Sequence, residues 1–448
     1  MSTRPRCATS LSDDVLRDHH PSPGERSPAV DARAMIGAVA TTAPADPPTI
    51  RDVEAARVRL DGGIVRTPCL RSRTLADLTG AAEIWVKFEN LQFTGSFKDR
   101  GSLLRLLALD ERHHARGVIA LSAGNHAQGV AHHAARLGIH ATIVMPSTTP
   151  YAKVNRTRLL GAEVVLAGRE RSECVATTER LVEERQLTLV HPYDDPLIIA
   201  GQGTCGLEIH DDAGPLDGVV VPIGGGGLSG GVALAFAARG EEGEIVGVQS
   251  ERYDTIARAR GLAAPTVTGA TLADGIAVKS PGLRNLTLID ELVADVRTVS
   301  EESIERAIAQ FLDIEKSVAE GAGAAALAAV LEHPERFRGR RVGVILSGGN
   351  IDARVLASVL LRGLVRDGRI AHLRVEADDL PGSLADVTRI ISDSGADVVE
   401  VSHQRLLTEL PARRVDIDVM VETRGAEHTE QLIALLRDAG HGVRLRPT

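Results

Sequence analysis

The 448-residue sequence has little of what nucleic-acid binding or membrane insertion requires. Aromatic residues make up only 2% of the chain, so few side chains are present on which bases could stack. The formal net charge of -9 opposes binding to a phosphate backbone. No apolar run is long and uninterrupted enough for a membrane span. We therefore expect neither a nucleic-acid partner nor a membrane partner.

Cysteine is scarce and scattered. The four cysteines, at positions 7, 69, 174 and 205, form no Cys-x-x-Cys pair and have no histidines at zinc-site spacing. Neither a disulfide framework nor a zinc site is indicated, and a reducing, cytoplasmic environment is expected. The hydrophobic share of 43% and the charged share of 25% are ordinary for a globular protein, and the length allows two or three domains.

Three regions differ in their sequence patterns. Residues 1–48 are rich in proline and poor in large apolar residues, so they are predicted to be a disordered extension, and a start of translation at Met35 stays open. Residues 49–366 alternate between strand and helix patterns, which is typical of α/β folds with parallel sheets. Residues 369–448 follow the order β-α-β-β-α-β of an α+β, ferredoxin-like domain.

Residues 87–109 form the segment around which the long middle region is organised. A strand-like segment at 84–88 leads into a polar turn with Thr94, Gly95 and Ser96, and then into leucines at helical spacing. Lys98 falls in the first turn of that helix, where carboxylates are favoured over ammonium groups. An amine with a lowered pKa, or one condensed with a carbonyl as an imine, would remove this conflict. A solvated lysine is the plain alternative.

Two loops at strand-to-helix junctions are candidate anion sites. The first runs from Ser122 to His126, where amides at a helix start can bind a carboxylate. The second, from Gly224 to Leu228, follows a very apolar strand and exposes backbone amides with no side chains in the way. Gly225, Gly227 and Gly230 also fit the dinucleotide pattern Gly-x-Gly-x-x-Gly, with an acid about 20 residues later. The loop by itself therefore leaves a dinucleotide-dependent oxidoreductase open.

The stretch from Gly95 to Gly101, together with these two loops and the segment from Ser347 to Asn350, resembles the threonine dehydratase (threonine ammonia-lyase) family of pyridoxal-phosphate enzymes. The four segments occur in the order that the family has and lie between residues 95 and 350, and the resemblance covers roughly residues 50–365. The resemblance implies a two-domain enzyme of fold type II, which is like the β subunit of tryptophan synthase, with a smaller subdomain at about 90–190. The implied cofactor is pyridoxal 5'-phosphate.

The resemblance also assigns roles to individual residues. Lys98 would be the catalytic lysine that forms an imine with the cofactor, and Phe97 would flank the cofactor ring. Asn125 would contact the ring hydroxyl, and Ser347 would face the ring nitrogen. The remaining implied contacts are to the cofactor phosphate, from Gly224, Gly225, Gly226, Gly227 and Leu228, and to the substrate carboxylate, from Ser122, Ala123, Gly124, Asn125 and His126.

The implied reaction is elimination of water from L-threonine, which gives 2-oxobutanoate and ammonia, with L-serine as a further substrate. The implied setting is the biosynthesis of isoleucine. A serine facing the ring nitrogen can hydrogen-bond it but cannot hold it protonated as a carboxylate would, which favours elimination over transamination. Serine racemase of the same family is the main rival. It uses a serine as second base directly before the Gly-Asn-His of the loop, where this chain has Ala123.

Three acidic residues raise further questions. Family members bind a cation near the match to Glu208, and Asp212 lies four residues later, so both are weak candidates for a metal site, with no metal site as the preferred interpretation. Glu320 begins a helix of small residues and is either a helix cap or part of the site.

The C-terminal region resembles an ACT regulatory domain through its Asp-x-Pro-Gly-x-Leu motif. The resemblance implies an amino-acid effector bound near Asp379, Pro381, Gly382, Ser383 and Leu384, and a homodimer or homotetramer. An inert dimerisation module is the alternative for this region. For the whole chain, a catalytically inert amino-acid sensor is a further alternative, because such a protein would not need Lys98.

Overall fold

The structure, a computed structural model, describes residues 46–238, 243–262, 269–404 and 413–446. The predicted disorder of residues 1–45 and the alternative start at Met35 lie outside these residues. The described chain contains three sheets.

The largest sheet has six strands in the order β1-β2-β10-β7-β8-β9. Only β1 is antiparallel to its neighbour, and the other pairs are parallel. Strands β7 and β10 are central and nearly all apolar, as strands covered on both faces require. The strands are β1 (Cys69–Ser72), β2 (Glu83–Phe88), β7 (Gly218–Pro222), β8 (Glu244–Ser250), β9 (Asp295–Val299) and β10 (Arg341–Leu346).

Helices cover this sheet. The small-residue helix α13 packs deep in the core, because its alanines allow close approach to the strands. The helices of this part are α1 (Ile50–Leu60), α2 (Arg73–Thr79), α8 (Pro196–Ala213), α9 (Gly227–Ala237), α10 (Thr255–Ala259), α11 (Leu283–Leu292), α12 (Glu301–Asp313), α13 (Gly321–Glu332), α14 (Pro334–Phe337) and α15 (Ala353–Arg366).

A second, four-stranded parallel sheet lies within the span predicted for the smaller subdomain, in the order β5-β4-β3-β6. Its strands are β3 (Val118–Leu121), β4 (Ala141–Met145), β5 (Glu163–Leu166) and β6 (Thr188–Leu189). The helices around it are α3 (Lys98–Leu107), α4 (Glu111–Arg116), α5 (Asn125–Leu137), α6 (Tyr151–Leu159) and α7 (Arg171–Arg185). The loop that connects the carboxyl end of β3 to the start of α5 contains the first predicted anion site.

The third sheet is antiparallel, in the order β12-β13-β11-β14, and has a core of its own. Its strand β11 alternates between buried and half-buried residues, because helices cover only one face. The elements are β11 (Ile370–Asp378), α16 (Ser383–Asp393), β12 (Asp397–Gln404), β13 (Arg414–Glu422), α17 (Ala426–Asp438) and β14 (Gly442–Leu445), which is the predicted β-α-β-β-α-β order.

Two local predictions from the sequence are wrong. The sequence predicts that Gly201 and Gly203 precede a short helix, but both lie inside the 18-residue helix α8. Both glycines allow α8 to pack closely against neighbouring helices. A Cβ on Gly201 would lie 2.7 Å from the Cα of Gly101, and one on Gly203 would lie 2.8 Å from the carbonyl oxygen of Gly231. The sequence also predicts a turn at residues 66–70, after the first helix, but strand β1 begins within this stretch, at Cys69.

Candidate active site

Lys98 is the first residue of α3, and the backbone places it against the end of β10. The amide of Phe97 donates to the carbonyl oxygen of Ser347 at 3.1 Å, and Ser96 forms a single β-bridge with Gly348. Strand β10 and strand β2 run parallel, so the segment that follows β2 and the segment that follows β10 emerge on the same side of the sheet. The structure thus brings Phe97, Lys98 and Ser347, the residues to which the resemblance assigns cofactor roles, close together in the backbone.

The Lys98 amine lies in a partly closed environment. Its Nζ donates to the carbonyl oxygen of Pro192 at 2.8 Å and is 4.9 Å from the ring centroid of Phe97. Burial lowers the pKa of Lys98 to about 8, although the negative charge of Glu320 opposes this lowering. A lysine amine with this pKa is partly neutral near physiological pH, so it is available as a nucleophile and as a base.

The loop from Gly224 to Leu228 presents free backbone amides. The six amides of residues 224–229 donate to no hydrogen-bond acceptor in the described part of the chain, although these residues are buried. Gly226 has a φ of 95°, which a side chain would strain, and helix α9 begins at the next residue. Buried donors without partners are costly, so this cradle fits an anion such as the phosphate of the predicted cofactor.

Tyr193 packs directly on this glycine loop, and sequence reasoning missed it. A Cβ on Gly225 would lie 2.1 Å from the Cγ of Tyr193, so glycine is required there. The Tyr193 hydroxyl donates to the carbonyl oxygen of Ser280 at 3.0 Å, and Asn285 Nδ2 donates to the carbonyl oxygens of both Tyr193 and Gly225. Because Tyr193 follows Pro192, this packing links the glycine loop to the residue that accepts the Lys98 hydrogen bond.

The hydroxyl of Ser347 is available for a ligand. The side chain is only 3% exposed, and its Oγ donates to the carbonyl oxygen of Ala322 over a long 3.3 Å. A hydroxyl rotates to suit its partner, so Ser347 can donate to a ring nitrogen instead. The residue at this position, directly after β10, is therefore a neutral hydrogen-bonding group and not an acid.

The loop from Ser122 to His126 is a second set of free amides, although not all of its residues contribute. The amide of Ser122 is used by the carbonyl oxygen of Val144, and the amide of Gly124 donates to the Ser122 hydroxyl. The amides of Ala123, Asn125 and His126 have no acceptor among the residues that the structure describes. They lie at the start of α5, where a carboxylate is favoured.

The His126 side chain is turned away from this role. Its Nε2 pairs with the carbonyl oxygen of Val190 at 2.9 Å, and the residue is buried. Burial, together with the charge of Lys98, lowers the pKa of His126 to about 3, so the imidazole stays neutral. His126 therefore offers its amide to a ligand and uses its ring to hold the loop against the segment that follows β6.

Asn125 takes part in a buried network that the sequence only partly indicated. Its Nδ2 donates to Glu320 Oε1 at 2.6 Å, and its Oδ1 accepts from Asn350 Nδ2 at 2.8 Å. Burial and the nearby charge of Asp274 raise the pKa of Glu320 to about 7. Glu320 precedes α13 without capping it by a side-chain hydrogen bond, so it is joined to the site rather than serving as a cap.

The weak candidates for a cation site have other partners. Glu208 accepts from Lys87 and Arg100, and Asp212 forms an ion pair with Arg66. No group of three or more histidine, cysteine, aspartate or glutamate side chains that could hold a metal ion occurs within the described ranges. Carboxylates already neutralised by cations attract a metal weakly, so the structure gives no support to a metal at these two residues.

The motif predicted to bind an effector lies in the exposed loop between β11 and α16. The amide of Asp379 donates to the carbonyl oxygen of Arg413 at 2.9 Å, and Ser383 Oγ donates to that of Asp378 at 2.7 Å. Gly382 has a φ of 102°, which lets the chain turn into the helix, with Pro381 before it and Leu384 packed on the core. The position at the carboxyl end of a strand suits a ligand loop.

Comparison with known proteins finds two matching families. The family described as "Pyridoxal-phosphate dependent enzyme" matches residues 60–348, and the family described as "ACT domain" matches residues 367–440. The L-threonine ammonia-lyase of Thermotoga maritima is 42% identical over 399 residues, which are 89% of this chain and 99% of that protein.

Two solved structures are also similar. A threonine deaminase from T.th. is 42% identical with a TM-score of 0.63, over 68% of this chain and 99% of that one. The serine racemase of Dictyostelium discoideum is 31% identical with a TM-score of 0.64, over 68% of this chain and 99% of that one. Among the described helices, none has the length and apolar character to traverse a bilayer.

Proposed function

Because the chain belongs to the family of pyridoxal-phosphate dependent enzymes, we propose that it is a threonine ammonia-lyase, which converts L-threonine to 2-oxobutanoate and ammonia and also accepts L-serine. The observation that carries the proposal is the convergence on Lys98 of three separate segments: Ser347, the Pro192 carbonyl and, through Tyr193, the glycine loop. The identity to two relatives named for threonine supports the choice of substrate.

The cofactor would be held by backbone amides and side chains of the segments around Lys98. The six free amides of residues 224–229 would bind the phosphate, and the Ser347 hydroxyl would donate to the ring nitrogen. Asn125 would reach the ring hydroxyl, and Phe97 would lie beside the ring. When bound, the cofactor supplies a conjugated electron sink that makes the α-proton of an attached amino acid acidic.

The chain's own residues would then bind the substrate and move its proton. The amides of Ala123, Asn125 and His126 would hold the substrate carboxylate, which fixes the direction of the Cα–H bond. The Lys98 Nζ, which its lowered pKa of about 8 leaves partly neutral, would take the proton from Cα. Ser347 cannot keep the ring nitrogen protonated as an acid would, so loss of the β-hydroxyl is favoured over transfer of the amino group.

Serine racemisation is the second candidate, because a serine racemase has the same fold at 31% identity. A racemase needs an acid or base on each face of the substrate carbon. Position 123 carries an alanine, which can be neither, whereas Lys98 serves one face only. The absence of an acid or base at position 123 favours elimination over racemisation. The dinucleotide interpretation of the glycine loop is weaker still, because the matching family model, over residues 60–348, is one of pyridoxal-phosphate dependent enzymes.

The test is a visible spectrum of the purified protein and an assay of its products. The wild-type protein should show the imine absorption band of bound pyridoxal phosphate and form 2-oxobutanoate from threonine. Lys98→Ala should lose the band and the turnover, and Arg105→Lys, on the same helix, should keep both. A wild-type protein without the band, or a Lys98→Ala protein that still turns threonine over, would contradict the proposal. Appearance of D-serine from L-serine would favour the racemase.

We also propose that the enzyme is allosteric, with an amino-acid effector at the loop from Asp379 to Leu384, and that it acts in isoleucine biosynthesis. The ACT match supports this proposal. We propose a homotetramer or homodimer in the cytoplasm. Three cysteines, Cys69, Cys174 and Cys205, are buried free thiols, which supports a reducing compartment.

A further inference from the structure

Four charged side chains form a closed cluster beneath the candidate site, and we refer to Lys87, Glu89, Arg100 and Glu208 as the buried quartet. Lys87, Glu89 and Arg100 have no exposed surface, and Glu208 has 7%. The two cations and two carboxylates balance, so the net charge of the quartet is zero.

Arg100 is the centre of the quartet. Its Nε and one terminal nitrogen each donate to Glu89 at 2.7 Å, and both terminal nitrogens donate to Glu208, at 2.8 and 2.7 Å. One terminal nitrogen also donates to Thr204 Oγ1 at 3.0 Å. All five N–H groups of the guanidinium are therefore used. A lysine has only three donors and no planar fork, so it could not replace this arginine.

Lys87 closes the cluster on its other side. Its Nζ donates to Glu208 Oε2 and to the carbonyl oxygen of Thr67, both at 2.5 Å. Thr67 in turn donates its hydroxyl to Glu89. Burial on its own would raise the pKa of Glu89, but the Arg100 guanidinium overrides burial and keeps this pKa well below its ordinary range, at about 2. Both carboxylates of the quartet therefore have a cation beside them at every pH of biological interest.

The quartet connects three elements that carry the site. Arg100 is in the first turn of α3, two residues after Lys98. Glu89 directly follows β2, whose last residue pairs with Leu346, the residue before Ser347. Glu208 is on α8, which begins four residues after Pro192, the residue that accepts the hydrogen bond from the Lys98 amine.

Stability alone does not account for such a cluster. Moving charges out of water costs several kcal/mol for each ion, and apolar side chains of similar volume are often as stabilising as a buried ion pair or more so. Ion pairs of this kind are, however, directional, because bidentate guanidinium bonds fix distance and angle together. The four buried charges are therefore better explained by fixing the geometry of the site than by stabilising the folded protein.

We propose that the buried quartet is a positioning device for the proposed reaction: through Arg100 it fixes the start of α3, and so the Lys98 amine, relative to Ser347 and the Pro192 carbonyl. The proposal rests on the proposed function of Lys98. It assigns Glu208 to this task instead of to a cation. None of the four side chains touches the substrate, so each acts through the backbone that it holds.

The main experiment compares charge-unbalanced variants with a rebalanced one, all as holoenzymes. Glu208→Gln leaves the quartet one positive charge in excess, and Lys87→Met leaves one negative charge in excess. Each should lower kcat for threonine, per subunit that holds cofactor, by ten-fold or more, with KM changed by less than about three-fold. The double variant, which is neutral again, should recover at least ten-fold over the poorer single variant.

Two readouts separate positioning from mere stability. The circular dichroism of the visible imine band reports how the cofactor is held at Lys98, and it should weaken in both single variants and recover in the double variant. The rate at which cofactor-free protein forms the imine with added pyridoxal phosphate should fall in parallel. A purely structural quartet would lower the melting temperature but leave both readouts, and kcat per loaded subunit, unchanged.

A variant that leaves the charges unchanged keeps the proposal testable if the charge variants fail to fold. Thr204→Val removes one acceptor from Arg100 and adds no charge, and we expect a three-fold to ten-fold fall in kcat with a weakened dichroic band. Arg105→Lys is the control, because Arg105 is on the same helix and pairs with Asp195 outside the quartet. If Thr204→Val and the single charge variants all kept the wild-type kcat and the wild-type dichroic band, the proposal would be overturned. A wild-type protein without an imine band would instead overturn the function of Lys98.

Discussion

Glu320→Gln offers a quantitative test of the electrostatics around Asn125. Glu320 is 6% exposed, and its pKa of about 7 compares with an ordinary value of 4.5. Glutamine keeps the oxygen that accepts from Asn125 Nδ2 at 2.6 Å, so the hydrogen bond survives while the titration is removed. The variant therefore isolates the cost of the buried carboxylate.

The direction of the effect follows from proton binding. A carboxyl whose pKa is higher in the folded state than in the unfolded state holds its proton more tightly when folded, so stability is lost as pH rises between the two values. Each tenfold change in acidity corresponds to about 1.4 kcal/mol. The wild-type protein should lose about 1 kcal/mol from this group by pH 5 and about 3 kcal/mol by pH 8, whereas the variant loses none.

Thermal unfolding of the cofactor-free protein measures this difference. If about 300 residues around Glu320 unfold together, their unfolding entropy is about 0.6 kcal/mol per degree. The melting temperature of Glu320→Gln, relative to wild type, should then rise by about 4 °C between pH 5 and pH 8. Glu54 on α1 is exposed, so Glu54→Gln is the matched control. Its melting temperature should change with pH in parallel with that of the wild-type protein. Parallel curves for Glu320→Gln as well, within about 1 °C, would refute the assigned pKa.

Three further outcomes are expected. Cofactor-free protein should form the imine with pyridoxal phosphate faster as pH rises toward the Lys98 pKa of about 8, as followed by absorbance, and a rate independent of pH would contradict that pKa. Gly225→Ala should weaken cofactor binding at least ten-fold in equilibrium dialysis, because its Cβ would lie 2.1 Å from Tyr193, whereas Gly363→Ala, which has open space, should bind normally. Deleting residues 369–448 should keep basal turnover and abolish its response to branched amino acids, and a surviving response would place the sensor elsewhere.

Local patterns were enough to predict most elements and two of the loops. The helix start at Lys98 and the amide-rich loops at 122–126 and 224–228 follow from periodicity and from polar or glycine-rich residues at strand ends, which act over a few residues. The smaller subdomain, by contrast, was implied only by the resemblance to a family. The family comparison confirms the fold and the cofactor. Interior glycines were harder to interpret, because Gly201 and Gly203 serve contacts with residues far away in the chain, Gly101 and Gly231.

Residues that join the site from a distance had no local signal. Pro192 contributes only a carbonyl oxygen, which any residue could provide, and Tyr193 is recognisable only because its ring fills the space that Gly225 leaves empty. The position of Glu320 before a helix allowed two interpretations, a helix cap or a residue of the site, since an acid before a helix is ordinarily a cap. Its hydrogen bond from Asn125, 195 residues earlier, decides between the two interpretations.

Glu208 shows why a buried carboxylate cannot be assigned from its own neighbourhood in the sequence. The resemblance to the family suggests a cation near Glu208, with Asp212 one turn later, and the sequence offers no reason to look 108 residues back, to Arg100. In the fold, that guanidinium already supplies the positive charge that a metal would have brought. The carboxylate that resembled a cation ligand is therefore already paired in the described structure, and we propose that it positions Lys98.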